Sequence, residues 1–123
     1  MPQSSSVYVN GARQPYAREA VGTLTSSKGL TAATYNVGSG VGSTYNHYDR
    51  MTRPQEAVIQ VKTAAINWTV DGTTPTTLAT TDVGFVAQVG DFIILQGTQT
   101  VENFRCINTV ASSGATIEVV YFK

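Results

Sequence analysis

The sequence has few of the residues that most often carry chemistry, with one cysteine, one histidine and one tryptophan among 123 residues. A single cysteine, Cys106, excludes both a disulfide within the chain and a cluster of thiol ligands. A zinc site needs three or four nitrogen, sulfur or carboxylate ligands, and His47 is the only imidazole. The residues therefore predict no metal centre and no cofactor, although a site that repeats His47 across a subunit interface stays open.

Charge is scarce as well, since eight basic residues cancel eight acidic ones and only 13% of the chain is charged. A neutral chain has no long-range field to attract a polyanion, so nucleic acid is not expected as a partner. The apolar runs fall short of the roughly 18 residues that a membrane span requires. The first residues also lack the charged-then-apolar order of a secretory signal, so we expect a protein made in a cytoplasm and no membrane partner.

What the chain does have is threonine and valine, eighteen and fifteen of them, against four leucines and three lysines. β-branched side chains suit a half-buried pleated sheet, whereas straight side chains suit helices. The length allows one domain with a core but not two. We therefore predict an all-β protein with one domain over residues 23–123 and an extended N-terminal arm over residues 1–22.

Several short runs alternate apolar and polar residues, most clearly where Ile66, Trp68 and Val70 alternate with Asn67 and Thr69. Such alternation places one set of side chains in a core and the other toward water, so Trp68 is predicted to be buried and Asn67 exposed. Similar runs give about seven short strands separated by turn residues, as in a β-sandwich. The runs are 29–35, 57–62, 66–70, 83–86, 91–95, 102–108 and 115–122.

Two segments, residues 1–22 and the glycine- and tyrosine-containing stretch 36–54, carry little apolar surface. The arm either orders against another protein or is a frayed tail, and a loop as long as 36–54 tends to be functional or disordered. Tyr35, beside this loop, is expected to be exposed. The candidate partner contacts in these segments are Val7, Tyr8, Val9, Tyr16, Tyr45, His47 and Tyr48.

Asp71 follows the alternating run 66–70 and precedes Gly72, with Pro75 shortly after. Asp and Gly tolerate the backbone angles of tight turns, and an Asp side chain can accept a hydrogen bond from the backbone two residues on. A catalytic carboxylate would need a second carboxylate or a base that it orients, and Asp82, Asp91, Glu102 and Glu118 mostly fall at predicted strand ends or outward positions. Cys106 fits a small core residue. We therefore interpret Asp71 as a turn residue and expect no enzymatic activity.

The stretch INWTVDGTTPT at 66–76, together with FRCI at 104–107, resembles the immunoglobulin-like domains at the C-terminal end of chitobiase and hexosaminidase-type proteins. The resemblance covers roughly residues 57–122. It implies a non-catalytic, immunoglobulin-like β-sandwich of about seven strands.

The layout of the whole chain is similar to that of small structural proteins of tailed bacteriophages, through a short arm, GLTAATY at 29–35, NFR at 103–105 and VVYF at 119–122. The chain departs from them in the long insert at 36–54. The similarity implies a virion protein assembled in the host cytoplasm, foremost a capsid decoration (cement) protein that binds the major capsid protein or another virion protein as a homo-oligomer. It leaves open a carbohydrate- or host-binding module of a tail or head fibre, with a glycan as partner, and a neck or tail adaptor.

Overall fold

The computed structural model describes residues 14–36, 53–77, 83–111 and 113–123. Within these residues the chain forms eight strands and two short helices, which confirms the all-β prediction. In chain order they are β1 (Pro15–Val21), β2 (Lys28–Gly29), α1 (Ala32–Tyr35), β3 (Glu56–Lys62), β4 (Ile66–Thr69), β5 (Phe85–Ala87), β6 (Phe92–Gln96), α2 (Thr98–Asn103), β7 (Arg105–Asn108) and β8 (Thr116–Phe122).

The described strands form two antiparallel four-stranded sheets, with the orders β1-β8-β3-β6 and β2-β7-β4-β5. Strands of the first half pair with strands of the second half in mirror order: β1 with β8, β2 with β7, β3 with β6 and β4 with β5. The chain is therefore a long hairpin rolled on itself, and pairing of β3 with β8 and of β4 with β7 closes each sheet. This is the arrangement of an eight-stranded jelly roll, a sandwich built from two Greek keys.

The predicted β-sandwich is confirmed, with eight described strands in place of about seven. An immunoglobulin constant-type sandwich orders its strands as ABED and CFG. The described strands follow the jelly-roll order instead. In this order β5 is an outer strand of the second sheet and β6 is an outer strand of the first, so the two consecutive strands lie on one side of the sandwich.

The core lies between the two sheets and follows the alternation of the strands. Its fully buried apolar side chains include Ile59, Val61, Ile66, Phe104, Ile117, Val119 and Tyr121. Burial of such a side chain stabilises the fold by roughly 1.5–3 kcal/mol relative to exposure. Trp68 is half-buried and packs on this core, with its ring stacked on Phe104 at 6.1 Å between ring centroids.

The expected arm extends less far than residue 22, because residues 15–21 are strand β1. This strand pairs with β8 over its whole length, from Pro15 opposite Phe122 to Val21 opposite Ile117. Its alternation is irregular because a bulge interrupts the register between Pro15 and Ala17. A partner about a hundred residues away orders the segment, and no local pattern reveals such a partner.

The strand expected at 29–35 is a two-residue strand, β2, followed by one helical turn, α1. The amides of Thr34 and Tyr35 both donate to the carbonyl of Thr31, at 2.8 and 3.1 Å. This turn directs the Tyr35 ring against Tyr121, 5.4 Å between centroids, and buries it. The expectation that Tyr35 is exposed is therefore wrong, because local helical bonds replaced the extended conformation that its β-branched neighbours favour.

A helix also replaces the start of the strand expected at 102–108. In α2, Val101 is buried, and Thr98 Oγ1 donates to the Pro54 carbonyl at 2.7 Å. Gly97 precedes the helix with a φ of 99°, a left-handed value that favours glycine. The tertiary contacts of Val101 and Thr98 thus outweigh the weak helix propensity of the threonines in this segment.

Candidate interaction surface

The exposed large apolar side chains of the described residues are concentrated in one segment of the chain. Six such side chains are exposed, and five of them lie in the β5–β6 segment, which comprises β5, β6 and the turn that links the outer strands of the two sheets. The five are Phe85, Val86, Val89, Phe92 and Ile94, and the sixth, Val110, lies in the turn between β7 and β8. Scattered exposed apolar residues need no explanation, but their concentration on one segment points to an interaction site.

Hydrogen bonds hold the turn between β5 and β6 in place. The amide of Gln88 donates to Asp91 Oδ2 at 2.8 Å, and the amide of Gly90 donates to the Val61 carbonyl at 2.8 Å. Gly90 has a φ of 92°, which a residue with a Cβ adopts only with strain. These bonds fix the turn against β3, so the apolar side chains of the β5–β6 segment are held on a rigid support.

Phe92 also borders a groove of about 430 Å³ on the outer face of the first sheet, together with Val58 and Val120. The register places Val120, Val58 and Ile94 side by side across β8, β3 and β6. At the far side of the groove Arg18 Nη2 donates to Glu118 Oε1 at 2.6 Å. The outer face of this sheet is therefore apolar along its middle and charged beyond it.

A second, smaller cleft of about 240 Å³ lies between Phe85 and the turn at 71–73. The Phe85 side chain is 65% exposed, and its ring lies 5.4 Å from the ring of Trp68. Asp71 and Thr73 line the same cleft. The cleft therefore combines an exposed aromatic ring with residues that carry polar oxygen atoms.

The prediction that Asp71 turns the chain is confirmed. The amide and the hydroxyl of Thr73 both donate to Asp71 Oδ1, at 3.1 and 2.6 Å, and Gly72 has a φ of 86°. These two hydrogen bonds, first the side-chain one, hold the pKa of Asp71 below its usual value. Because this carboxylate accepts hydrogen bonds from within the turn, Asp71 acts as a turn residue.

Asn67 was predicted to face water, and that prediction is wrong, because its side chain is 0% exposed. Its Nδ2 donates to the carbonyls of Thr76 and Val83, at 2.7 and 2.8 Å, so both ends of the β4–β5 connection fold over the outer face of the second sheet. Gly84 comes so close that a Cβ there would meet Asn67 Oδ1 at 2.8 Å. Alternation correctly placed Asn67 on the outer face of the second sheet, but the described part of the β4–β5 connection covers that face at this residue.

Among the candidate contacts from the sequence, Tyr16 is the one that the structure describes. It is half-buried, its hydroxyl donates to the Tyr35 carbonyl at 2.5 Å, and its ring lies 6.5 Å from that of Tyr121. The Tyr121 hydroxyl in turn donates to Glu19 Oε2. Burial, then the neighbouring Tyr35, raises the pKa of Tyr16 to about 12, so this residue belongs to an internal cluster that fastens β1 and α1 to β8.

The other candidate contacts lie outside the described residues. They are Val7, Tyr8, Val9, Tyr45, His47 and Tyr48. Cys106 is buried as expected of a small core residue, and burial raises the pKa of its thiol to about 12. Thiolates are the reactive form of cysteine, so burial disfavours reaction at this side chain in the folded protein.

Sequence reasoning missed the β5–β6 surface, although a signal was present. The strand FIILQ carries no charge, so the two outward positions of its alternation, Phe92 and Ile94, are apolar as well. An alternating strand normally places polar residues outward. Apolar residues on both faces of an outer strand are the sequence sign of a surface that contacts something else.

Within the ranges that the structure describes, no three His, Cys, Asp or Glu side chains come together as a metal site would require. No described helix is long and apolar enough to cross a membrane. Comparison of the chain with protein families, with curated proteins and with solved structures finds no match.

Proposed function

We propose that this protein is a bacteriophage virion structural protein, a capsid decoration protein that binds and stabilises the assembled head. The observation that supports the proposal is the concentration of exposed apolar side chains on the β5–β6 segment of a small sandwich, beside a groove on the first sheet. Jelly rolls build viral capsid domains, which is an analogy of fold. The similarity of the whole-chain layout to small phage structural proteins points the same way.

The mechanism is mass action. A subunit that binds the assembled shell and not its dissociated parts stabilises the shell by its binding free energy. Many copies sum this effect, and contacts made by one oligomer to several shell subunits strengthen it further. A rigid sandwich with a preformed apolar surface suits this role because little conformational entropy is lost when it binds.

Quantification of the protein in purified virions tests the proposal. Decoration predicts many copies, in a simple ratio to the major capsid protein, and release of the protein should lower the temperature at which heads break open. A few copies per particle would favour a neck or tail adaptor instead. Absence from virions, together with failure of the purified protein to co-sediment with empty heads, would refute a virion role.

The cleft beside Phe85 favours a second candidate, a carbohydrate-binding module of a tail or head fibre. Aromatic rings offer flat apolar surfaces to ligands, and Asp71 and Thr73, which line the same cleft, carry oxygens that can accept hydrogen bonds from sugar hydroxyls. Jelly rolls also occur in lectins. Glycan-array binding by the wild type, abolished by Phe85→Ala and retained by Phe92→Ala, would support this candidate, and an array without any bound glycan would count against it.

A further inference from the structure

The outer strands of the two described sheets are not protected equally. β1 carries Pro15, Arg18 and Glu19 and is bulged between Pro15 and Ala17. β2 has two residues and β5 has three. Charges, prolines, bulges and shortness are the devices by which native proteins prevent strands from pairing at sheet edges. β6 has five residues in regular register, with no proline and no charge, so it lacks all of them.

The backbone groups on the outer side of β6 can be assigned from its bonds to β3. The amide of Val61 donates to the Asp91 carbonyl at 3.0 Å, and the amide of Gly97 donates to the Gln55 carbonyl at 2.7 Å. Antiparallel ladders alternate bonded and non-bonded pairs, so residues 93 and 95 also face β3. The amides and carbonyls of Phe92, Ile94 and Gln96 therefore point away from the sheet, and no described strand pairs with them.

We propose that β6 pairs antiparallel with β6 of a second copy of this chain, about a two-fold axis at Ile94. In this register Ile94 lies opposite Ile94 of the second copy, and Phe92 lies opposite Gln96. The two four-stranded sheets then form one continuous sheet of eight strands. The stripe formed by Val120, Val58 and Ile94 continues across the axis into the same stripe of the second copy.

A second copy fits this edge because a two-fold axis places each residue on the axis opposite the same residue of the other copy. Like charges directly opposite destabilise a strand pair, and β6 carries none. The nearest acid, Asp91, precedes the strand and would lie opposite Gly97 of the second copy. The apolar pair at Ile94, 45% exposed in one chain, would bury its side chains against each other.

Stable protein interfaces bury about 1,600 Å² in total, more than a five-residue strand supplies alone. β5 is an outer strand of the second sheet and leads directly into β6, so its exposed Phe85 and Val86 are available on the same side of the sandwich to extend the contact. This inference is argued from the strand edge and does not rest on the proposed virion role. If the pairing forms, Ile94 belongs to it, and Val58 and Val120 of the groove remain for a contact with the shell.

Sedimentation velocity of the full chain tests the pairing with a matched pair of variants. Ile94→Lys places two like charges on the axis. Val110→Lys places a charge at an equally apolar site, 58% exposed, outside the β5–β6 segment. We expect a dimer or an assembly of dimers for the wild type and for Val110→Lys, and a folded monomer for Ile94→Lys. A monomeric wild type would refute the pairing, and so would a folded Ile94→Lys that keeps the wild-type mass.

Cross-linking tests the register directly and does not depend on how Ile94→Lys folds. Directly paired residues in a bonded antiparallel pair have Cα atoms about 5.5 Å apart, so two cysteines there lie within reach of a short bifunctional thiol reagent. The buried Cys106 gives little background. Such a reagent should therefore join Ile94→Cys into a covalent dimer at low protein concentration, while it should not join Val110→Cys. Failure of Ile94→Cys to cross-link, or equal cross-linking of both variants, would overturn the proposal.

Discussion

Single residues in this protein are explained mostly by how they satisfy the backbone. Asp71 is the clearest case, since one carboxylate oxygen accepts both the amide and the hydroxyl of Thr73. The carboxylate is fully exposed, so water screens most of its contribution to stability. What remains is present above its ordinary pKa and is lost as pH falls through the lowered pKa of the folded state.

This reading of Asp71 predicts the result of an NMR titration. The carboxyl of Asp71 should titrate below its ordinary value of 3.8, because protonation weakens the two hydrogen bonds that it accepts. Thr73→Val removes the hydroxyl donor and should raise this pKa, while Thr73→Ser keeps the hydroxyl and should preserve it. An Asp71 pKa that is unchanged in Thr73→Val would mean that the hydroxyl bond is absent in solution.

Three buried or half-buried tyrosines predict how stability depends on alkaline pH. Burial is the main cause that raises the pKa of Tyr16, Tyr35 and Tyr121 above the ordinary value of 10.0. Above that pH the unfolded chain releases protons that the folded chain retains, so stability is complete below pH 10.0 and falls as the pH rises further.

Urea unfolding on both sides of this pH measures the effect. The free energy of unfolding should be constant below it and decline above it. Tyr16→Phe removes one of the three titrating groups, so its decline should be shallower than that of the wild type, even though the variant also loses the bond to the Tyr35 carbonyl. Parallel declines in the two proteins would show that the Tyr16 hydroxyl is not shielded from water.

At the scale of elements, the strands that alternation predicts are those whose partners lie on both sides. β3 and β8 are central in the first sheet, with a regular inward set such as Ile59 and Val119. β1 escaped prediction because it is an outer strand with a bulge, and α1 because a single helical turn is too short to show a period of 3.6. Local pattern thus identifies strands that have a buried face and misses those that depend on one distant neighbour.

The connection between β4 and β5 offers a test of such a local element. Gly84 has a φ of 123°, and a Cβ there would lie 2.8 Å from Asn67 Oδ1 and 2.9 Å from the Trp68 carbonyl. Gly84→Ala should therefore lower the free energy of unfolding by about 2 kcal/mol or more through strain and overpacking. Gly72 is the matched control, with a φ of 86° but no atom within 4 Å of the added Cβ.

Gly72→Ala has the backbone strain without the clash and should cost about 1 kcal/mol. Equal losses in the two variants, measured by chemical denaturation, would mean that the connection does not lie against Asn67 in solution. A larger loss in Gly84→Ala would support the close approach that buries this asparagine, which alternation alone had placed in water.

At the scale of the whole molecule, the jelly-roll order is the feature that the sequence could not reveal. Each pairing joins strands by register, and the register of β1 with β8 links residues about a hundred positions apart. Composition and alternation indicated a sandwich because they reflect burial, whereas strand order depends on which buried faces meet. The outer position of β6 could not be predicted for the same reason, since it exists only once the sheets are assembled, although the apolar character of both faces of FIILQ was visible in the sequence.

The extent of the arm is the whole-molecule prediction that follows from β1. A truncation that removes residues 1–20 also removes most of this strand, with the Arg18–Glu118 ion pair and the Glu19–Tyr121 hydrogen bond. Removal of residues 1–13 keeps β1 and the paired backbone bonds between Gln14 and Lys123, at 3.3 and 3.0 Å. Relative to the shorter truncation, the longer one should therefore lower the free energy of unfolding by several kcal/mol.

Capsid binding by the shorter truncation then isolates the role of the arm from the stability of the sandwich. If residues 1–13 hold the protein on the shell, their removal should abolish co-sedimentation with empty heads while the melting of the sandwich stays cooperative. If binding is retained, the groove on the outer face of the first sheet becomes the contact to test, because Val58 and Val120 are intact in this truncation and lie outside the proposed β6 pairing. The longer truncation cannot separate these cases, since loss of β1 exposes one side of β8 and would reduce binding by unfolding alone.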